Sequence, residues 1–293
     1  MNQKVKVLWI TGLSCNGNSH SFLNYTFLEQ FLNDFEFINH PLIEGSHTLE
    51  EVVNKIIPCD ILLIEGSISP EIVKADKNLF DIIYQYSKIV SKVVTVGTCA
   101  TFGGIFRQSE YKNITGLHFD EKDLVQNFLE IRHKTISISG CPIHPEYLGN
   151  TLYAIKDELV MHLDEYLRPK EYFAYTVHNG CVRNEYFEYK VDNHLFGKKE
   201  GCMFYDHGCQ GPFTRGSCNK ILWNEVNSKT RAGQPCMGCT EPEFPKSNLF
   251  ATKKNMGIPA TLPIGIGKRT YLTLAGVTKA FKITRLEKEL FDD

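Results

Sequence analysis

Several common features are missing from this chain of 293 residues. No stretch approaches the roughly 18 uninterrupted apolar residues of a membrane-spanning helix. Neither sign of charge is in excess: 32 Lys and Arg stand against 34 Asp and Glu, for a formal net charge of −2. The basic residues are scattered, with no stripe of them interleaved with aromatics, so a nucleic-acid partner is not expected. The opening MNQKVKVLWITGL lacks the long apolar run and small-residue cleavage site of a secretory signal, and no twin-arginine pair is present. The expectation is a cytoplasmic chain. In a reducing compartment, ten cysteines argue against a disulfide framework and for metal. Internal repeats and low-complexity segments are absent as well.

What is present first is a β–α rhythm. The runs Val5–Ile10, Phe35–His40, Asp60–Gly66, Lys92–Gly97 and Lys134–Ser139 read as strands. DILLIEG is continuously apolar, as in a strand covered on both faces. Between the strands, helical spacing predicts helices from a Ser19 cap to Phe35, over Leu49–Ile57, Lys77–Ser91 and Glu121–Ile131, and over Pro145–Leu167. This alternation implies an α/β fold with a flavodoxin-like, doubly wound parallel sheet over residues 1–167. The rhythm stops near Arg168. Residues 168–293 read as a second, irregular, cysteine-rich domain, ending in a surface helix over about Tyr271–Leu290.

Cys202–Cys239 holds five of the ten cysteines and has no clear helical or strand period. Gly and Pro punctuate it throughout. Such a segment cannot fold by burying apolar side chains alone, and its thiols are the obvious hooks for a bound group. Upstream, Cys15, Cys99 and Cys141 each follow a strand, where open α/β sheets bind ligands. Neighbouring glycines allow close approach of a bulky group. The alternative is three unrelated buried thiols. His178 and Cys181, three residues apart in a turn-like sequence, pair with Cys202 and Cys209 as a second set, and Cys218, Cys236 and Cys239 remain as a third. Cys59 opens a buried strand and reads as a structural thiol.

Structural zinc is the competing assignment. Zinc sites favour two short-spaced ligand pairs, whereas only Cys236 and Cys239 form a Cys-x-x-Cys pair. Two sets supply only three thiols, which suits a cubane lacking one iron better than tetrahedral zinc. A zinc-stabilised, non-catalytic binding module stays open as the alternative.

The chain resembles the small, electron-transferring subunit of nickel–iron hydrogenases over nearly its whole length. The resemblance rests on the loop Ser14–Asn18, EGS at Glu65–Ser67, GTCATFGG, GCPIHP, His178-x-x-Cys181, CMFYDHGCQGP, and CNKILWN followed by GQPCMGCTEPEFP. The N-terminal motifs alone are less specific, since the cluster-binding subunit of respiratory complex I shares that fold. The resemblance implies three clusters in a row. The proximal one would sit on Cys15, Cys99 and Cys141. A medial [3Fe–4S] centre would sit on Cys218, Cys236 and Cys239, and a distal [4Fe–4S] centre on His178, Cys181, Cys202 and Cys209. It also implies a separate large subunit holding the nickel–iron centre, assembly of large–small pairs into a higher oligomer, and an acceptor (a protein, or a quinone- or cofactor-reducing partner) docking near the distal centre. No catalytic residue is then expected in this chain.

One departure concerns the proximal set. The common motif has a second cysteine three residues after the first, and Asn18 stands there. Carboxamide is a poor iron ligand. The expectation is therefore a [3Fe–4S] centre, or a [4Fe–4S] centre with a non-cysteine ligand: Asn18, His20, water or hydroxide. One thiolate fewer should raise its potential and favour hydrogen oxidation. CNGN and TRAGQPCMGCTEPEFP look like the cytosolic uptake and sensory branch (group 2). A hydrogen-sensing regulatory hydrogenase is the alternative within the family. The Cys202–Cys209 spacing is one residue longer than in the common periplasmic enzymes and puts no ligand in doubt. Arg183, Tyr186, Phe187, Tyr189 and Lys190 could surround an electron exit or form a strand-like solvated face.

Overall fold

A computed structural model describes residues 3–108, 113–246 and 265–280. The chain divides into two compact units, Met1–Glu171 with Cys239–Pro245, and Tyr172–Gly238 with Lys246–Asp293. In the first unit β1 (Val5–Thr11), β2 (Phe35–Asn39) and β3 (Ile61–Glu65) are followed by a short hairpin, β4 (Val73–Lys74) and β5 (Lys77–Asn78). Then come β6 (Lys92–Val96), a second hairpin of β7 (Phe119–Asp120) and β8 (Asp123–Leu124), and β9 (Thr135–Ile138). Five strands pair in parallel in the order β2-β1-β3-β6-β9. This is the flavodoxin-like order, whose switch point lies between β1 and β3.

Every residue of β3 is buried, as its unbroken apolar run requires. The helices of this unit are α1 (Gly17–Phe22), α2 (Leu28–Asp34), α3 (Leu49–Asn54), α4 (Leu79–Ser87), α5 (Gly97–Phe102) and α6 (Pro145–Lys156). Leu8, Ile10, Leu62 and Ile64 pack on one face of the sheet with Ile82, Ile83 and Tyr86 of α4. Trp9, pointing the other way by the two-residue alternation of a strand, meets Phe22 and Phe37. Phe31 stacks on Phe35 at 4.1 Å. The segment 239–245 belongs to this unit through a buried cation. The Arg168 guanidinium donates to Asp164 Oδ2 at 2.8 Å and to the Thr240 carbonyl at 2.8 Å.

Strand positions agree with the sequence reading to within a residue or two, and the helices differ. The helix expected from Ser19 to Phe35 is two helices. Between them Thr26 gives its amide and hydroxyl to Glu146 Oε1, at 3.0 and 2.8 Å, so that amide leaves the helical ladder. Ser19 lies inside α1 and caps nothing. Expected helix Glu121–Ile131 is the β7–β8 hairpin and a 3-10 turn, because Glu121 and Phe128 hold left-handed conformations, φ 52 and 59, which end a right-handed helix. Helix α6 stops at Lys156, and Glu158 (φ 52) is again left-handed. The last helix runs Lys268–Ala280, with Tyr271 buried against Phe187, Cys202 and Phe204. Its expected continuation to Leu290 lies outside the described residues.

The second unit has little regular structure among its described residues. It contains the helices Asn184–Tyr189, Phe204–His207 and Lys268–Ala280 and the 3-10 turns Val177–Gly180 and Gly211–Phe213. Among the described residues its apolar contacts include two small groups that each contain cysteine.

Two buried histidines make the first unit acid-sensitive. His40 accepts the Leu42 and Ile43 amides on Nδ1, both at 3.0 Å, and burial holds its pKa at about 4. His118, with Nε2 at 3.0 Å from Thr135 Oγ1, is held at about 4 by burial and the nearby Arg132 charge. Both values lie below the unfolded 6.5, so the unfolded chain binds more protons between those pH values. Stability is complete above pH 6.5 and falls as pH drops toward 4, by on the order of 3 kcal/mol per histidine. Denaturant titrations following Trp9, with Trp223→Phe removing the other indole, should show this loss, and His118→Gln should remove about half of it. A midpoint constant from pH 7 to pH 5 would contradict the assignment.

Candidate metal centres

Register places the first set. Thr11 pairs with Glu65, Glu65 with Val96, and Val96 with Ile138, so four strands end level at one edge. Cys15, Cys99 and Cys141 follow three of those ends within four residues. All three line one cavity, together with Ser14, Asn18 and Thr98. Cys99 is not in a loop, as expected, but is the third residue of α5. The glycine allowance is visible in the geometry. A Cβ on Gly104 (φ 52) would stand 2.5 Å from Cys99 Sγ, and one on Gly17 would stand 3.2 Å from Cys15 Sγ. Burial raises the Cys99 pKa, against hydrogen bonds from the Ile105 amide and the Ser67 side chain.

Glu65 is the residue that sequence reasoning undervalued: EGS served only as a family motif. Its side chain is fully buried. Oε2 accepts from Trp9 Nε1 at 3.0 Å and from Ser19 Oγ, while Oε1 accepts from Ser14 Oγ at 2.9 Å and from the Asn18 amide at 3.2 Å. One carboxylate thus ties down both sides of the loop that carries Cys15. A Glu ending an apolar strand, within a Ser-rich neighbourhood, was the available signal. Asn18 is buried, and its side chain bridges Val96 and Ile143 of the backbone. His20 is exposed on α1 and does not line the cavity.

The second set also shares one cavity. His178, Cys181, Cys202 and Cys209 line one space walled by Val177, Phe187, Met203 and Phe204. A capping box between Thr176 and Asn179 fixes the turn that carries His178. Burial, then the Lys190 charge, holds the His178 pKa at about 4. Its imidazole is therefore neutral near pH 7, the form that binds metal. Burial pushes the Cys202 and Cys209 thiols up to about 12. Backbone amides nevertheless point at the sulfurs: Cys236 N to Cys209 Sγ at 3.3 Å, and Arg183 N to Cys181 Sγ at 3.4 Å. Such amide–sulfur bonds favour thiolate and tune iron–sulfur potentials.

Of the third set, Cys218 and Cys236 pack with Val177, Met203 and Cys209 in the second unit. Cys239 lies in the first unit, where its carbonyl accepts from Thr98 Oγ1. Cys59 is 7% exposed inside the apolar core, and burial pushes its thiol up to about 12. It is a packed thiol away from either cavity. Between Arg183 and Lys190 the chain forms the helix Asn184–Tyr189, not a strand-like face. Arg183 and Phe187 are buried, with Phe187 edge-on to His178 at 4.6 Å.

A single ion and a cluster ask for different spacings. Zinc draws sulfur to about 2.3 Å, so its thiolates must approach one another within about 4 Å. Among the described residues no group of three or more His, Cys, Asp or Glu is gathered tightly enough to hold one ion. Three thiols and one neutral imidazole that face one pocket, without being gathered closely enough for a single ion, suit a larger group that brings its own sulfide. The donor set fits iron–sulfur chemistry.

Comparison with known proteins agrees with this donor chemistry. Residues 173–251 match the family model for the C-terminal part of the NiFe/NiFeSe hydrogenase small subunit, and residues 15–155 match "NADH ubiquinone oxidoreductase, 20 Kd subunit". The F420 non-reducing hydrogenase I small subunit of Methanosarcina mazei is 29% identical, over 87% of this chain and 78% of that protein. The periplasmic nickel–iron hydrogenase small subunit 1 of Nitratidesulfovibrio vulgaris is 29% identical, over 83% and 80%. A solved structure of the nickel–iron–selenium hydrogenase of Dm. baculatum superposes with a TM-score of 0.73 at 25% identity, covering 86% of this chain and all of that one.

The expected cytoplasmic location is corrected by these findings. Relatives that carry a compartment in their names are periplasmic. The expectation rested on the chain's opening residues and on thiol content. Thiolates held by metal are withdrawn from disulfide chemistry, so their number does not report the compartment. Nor do these relatives single out the group 2 branch. No helix among the described residues is long and apolar enough to cross a membrane. Two family models in chain order, relatives aligned over most of the length and the fold together make this chain similar to the small subunits of the nickel–iron and nickel–iron–selenium hydrogenases.

Proposed function

We propose that the chain is the electron-relay small subunit of an uptake-type hydrogenase, carrying electrons from hydrogen oxidation at a nickel–iron centre to an acceptor. By its similarity to these small subunits it serves an oxidoreductase whose catalytic centre lies in a partner large subunit. The observation that carries the relay reading is the convergence of His178, Cys181, Cys202 and Cys209 on one buried cavity, apart from the sheet-edge set of Cys15, Cys99 and Cys141. Iron–sulfur clusters, when bound, supply one-electron steps at each position. In this reading the domain of residues 1–167 holds a proximal [3Fe–4S] centre, or a [4Fe–4S] centre with a non-cysteine ligand. The domain of residues 168–293 holds a medial [3Fe–4S] centre on Cys218, Cys236 and Cys239 and a distal [4Fe–4S] centre. The acceptor, a protein or a quinone-reducing partner, docks near the His178 side.

Arg183 carries a further part of the argument. Its guanidinium is buried, and it donates to the carbonyls of Thr230 at 2.7 Å, Glu200 at 2.9 Å, Gly201 at 2.7 Å and Lys198. These acceptors are all neutral. A buried cation facing only neutral acceptors is costly unless an anion lies nearby. The same residue lines the His178 cavity, where three thiolates and inorganic sulfide would supply that negative charge. Arg183 thus holds the backbone just before Cys202 and offsets the charge of what binds there.

Metal analysis of the complex, purified anaerobically from its native host, tests the reading. About ten to eleven irons per chain with co-purifying nickel are expected. Stoichiometric zinc without iron would overturn it. Arg183→Met should lower the distal potential by tens of millivolts, because a lost positive charge disfavours the reduced, more negative state. Arg183→Lys should lower it less. A redox titration by EPR in which all three proteins agree would remove Arg183 from this role.

A further inference from the structure

Resting on the relay reading above, we infer that the proximal site offers three thiolates and no fourth protein ligand, because Asn18 is a backbone clamp and not an iron ligand. Both ends of its carboxamide are engaged. Nδ2 donates to the Val96 carbonyl at 3.3 Å, and Oδ1 accepts from the Ile143 amide at 2.9 Å. Val96 ends β6, just before the helix that carries Cys99, and Ile143 stands two residues past Cys141. The clamp therefore joins the two backbones that deliver Cys99 and Cys141 to the segment that delivers Cys15. Turning the oxygen toward iron would leave the Ile143 amide, buried in the unit, without its acceptor, at the cost of an unmade hydrogen bond.

The backbone opposite is shaped for this arrangement. Gly97 sits at φ 91, and a Cβ there would stand 2.3 Å from Asn18 Nδ2. A left-handed glycine is what lets the carboxamide lie against the end of β6.

The remaining polar side chains of the cavity are also committed. Ser14 Oγ donates to Glu65 and accepts from the Asn16 amide at 2.9 Å. Thr98 Oγ1 donates to the Cys239 carbonyl and accepts from the Gly140 amide at 3.0 Å. His20 is outside the cavity. Among the described residues, only Cys15, Cys99 and Cys141 remain to hold iron. A fourth iron, when present, would be held by an exchangeable water or hydroxide.

The test uses the whole large–small complex. In wild type the proximal centre should be [3Fe–4S] as isolated, or become so when ferricyanide strips one exchangeable iron, giving a [3Fe–4S] signal in addition to the medial one. In Asn18→Cys that iron should resist removal. Pulsed EPR of the reduced proximal centre should not change when asparagine alone is labelled with ¹⁵N. Asn18→Ala should keep the wild-type iron count and proximal spectrum while its Tm falls by about 3–8 °C. A nitrogen coupling that changes with the asparagine label would overturn the inference while leaving the relay reading intact. So would an Asn18→Ala complex of unchanged Tm that has lost an iron. Zinc in place of iron would overturn both.

Discussion

The buried Glu65 carboxylate is the contact on which the proximal region depends. It ends β3 at the switch point of the sheet, where the chain diverges to either side. A carboxylate out of water survives only if its lone pairs are met, and four donors meet them, from Trp9, Ser14, Asn18 and Ser19. Trp9 belongs to the neighbouring strand, and the other three belong to the Cys15 loop and its helix. The cost of burying the charge is thereby converted into a fixed path for a segment that has no strand to hold it. Loss of any one donor would leave the same charge less well met, so the loop and the carboxylate hold each other in place.

The two units solve the same problem differently. In the first, an ordinary apolar core exists without any ligand, and the level strand ends bring thiols to one edge. In the second, the described apolar groups are few and include the cysteines themselves. Burial keeps Cys202 and Cys209 protonated without metal, whereas a ligand must be thiolate. Binding must therefore release protons, and its free energy is also folding free energy. The amides aimed at Cys181 and Cys209 lower that cost, and Arg183 supplies a compensating charge. A segment without helical or strand period can persist on those terms.

Much of this was legible in the sequence because strands announce themselves. The continuous apolar run of β3 and the β–α rhythm led to the sheet, and the position of Cys15 and Cys141 after strands led to its edge. Helix limits were less legible because contacts distant in sequence set them. Glu146 stops the helix before Thr26, and left-handed Glu121 turns a helical pattern into a hairpin. Cys99 on a helix, and Arg183 as a buried cation, escaped notice for a related reason. Local pattern cannot reveal that a guanidinium is matched by carbonyls 15 to 47 residues away.

Asn18 shows most directly how a sequence departure acquires meaning from its surroundings. Read alone, an Asn where relatives of this kind place Cys suggests a weak substitute ligand. Read with Gly97 opposite it and with Val96 and Ile143 bonded to its two ends, it belongs to the frame and not to the metal. Turning that carboxamide toward iron would give up its bond to the Ile143 amide. In this reading the position does not supply a fourth ligand but holds in place the backbones that carry the three thiols.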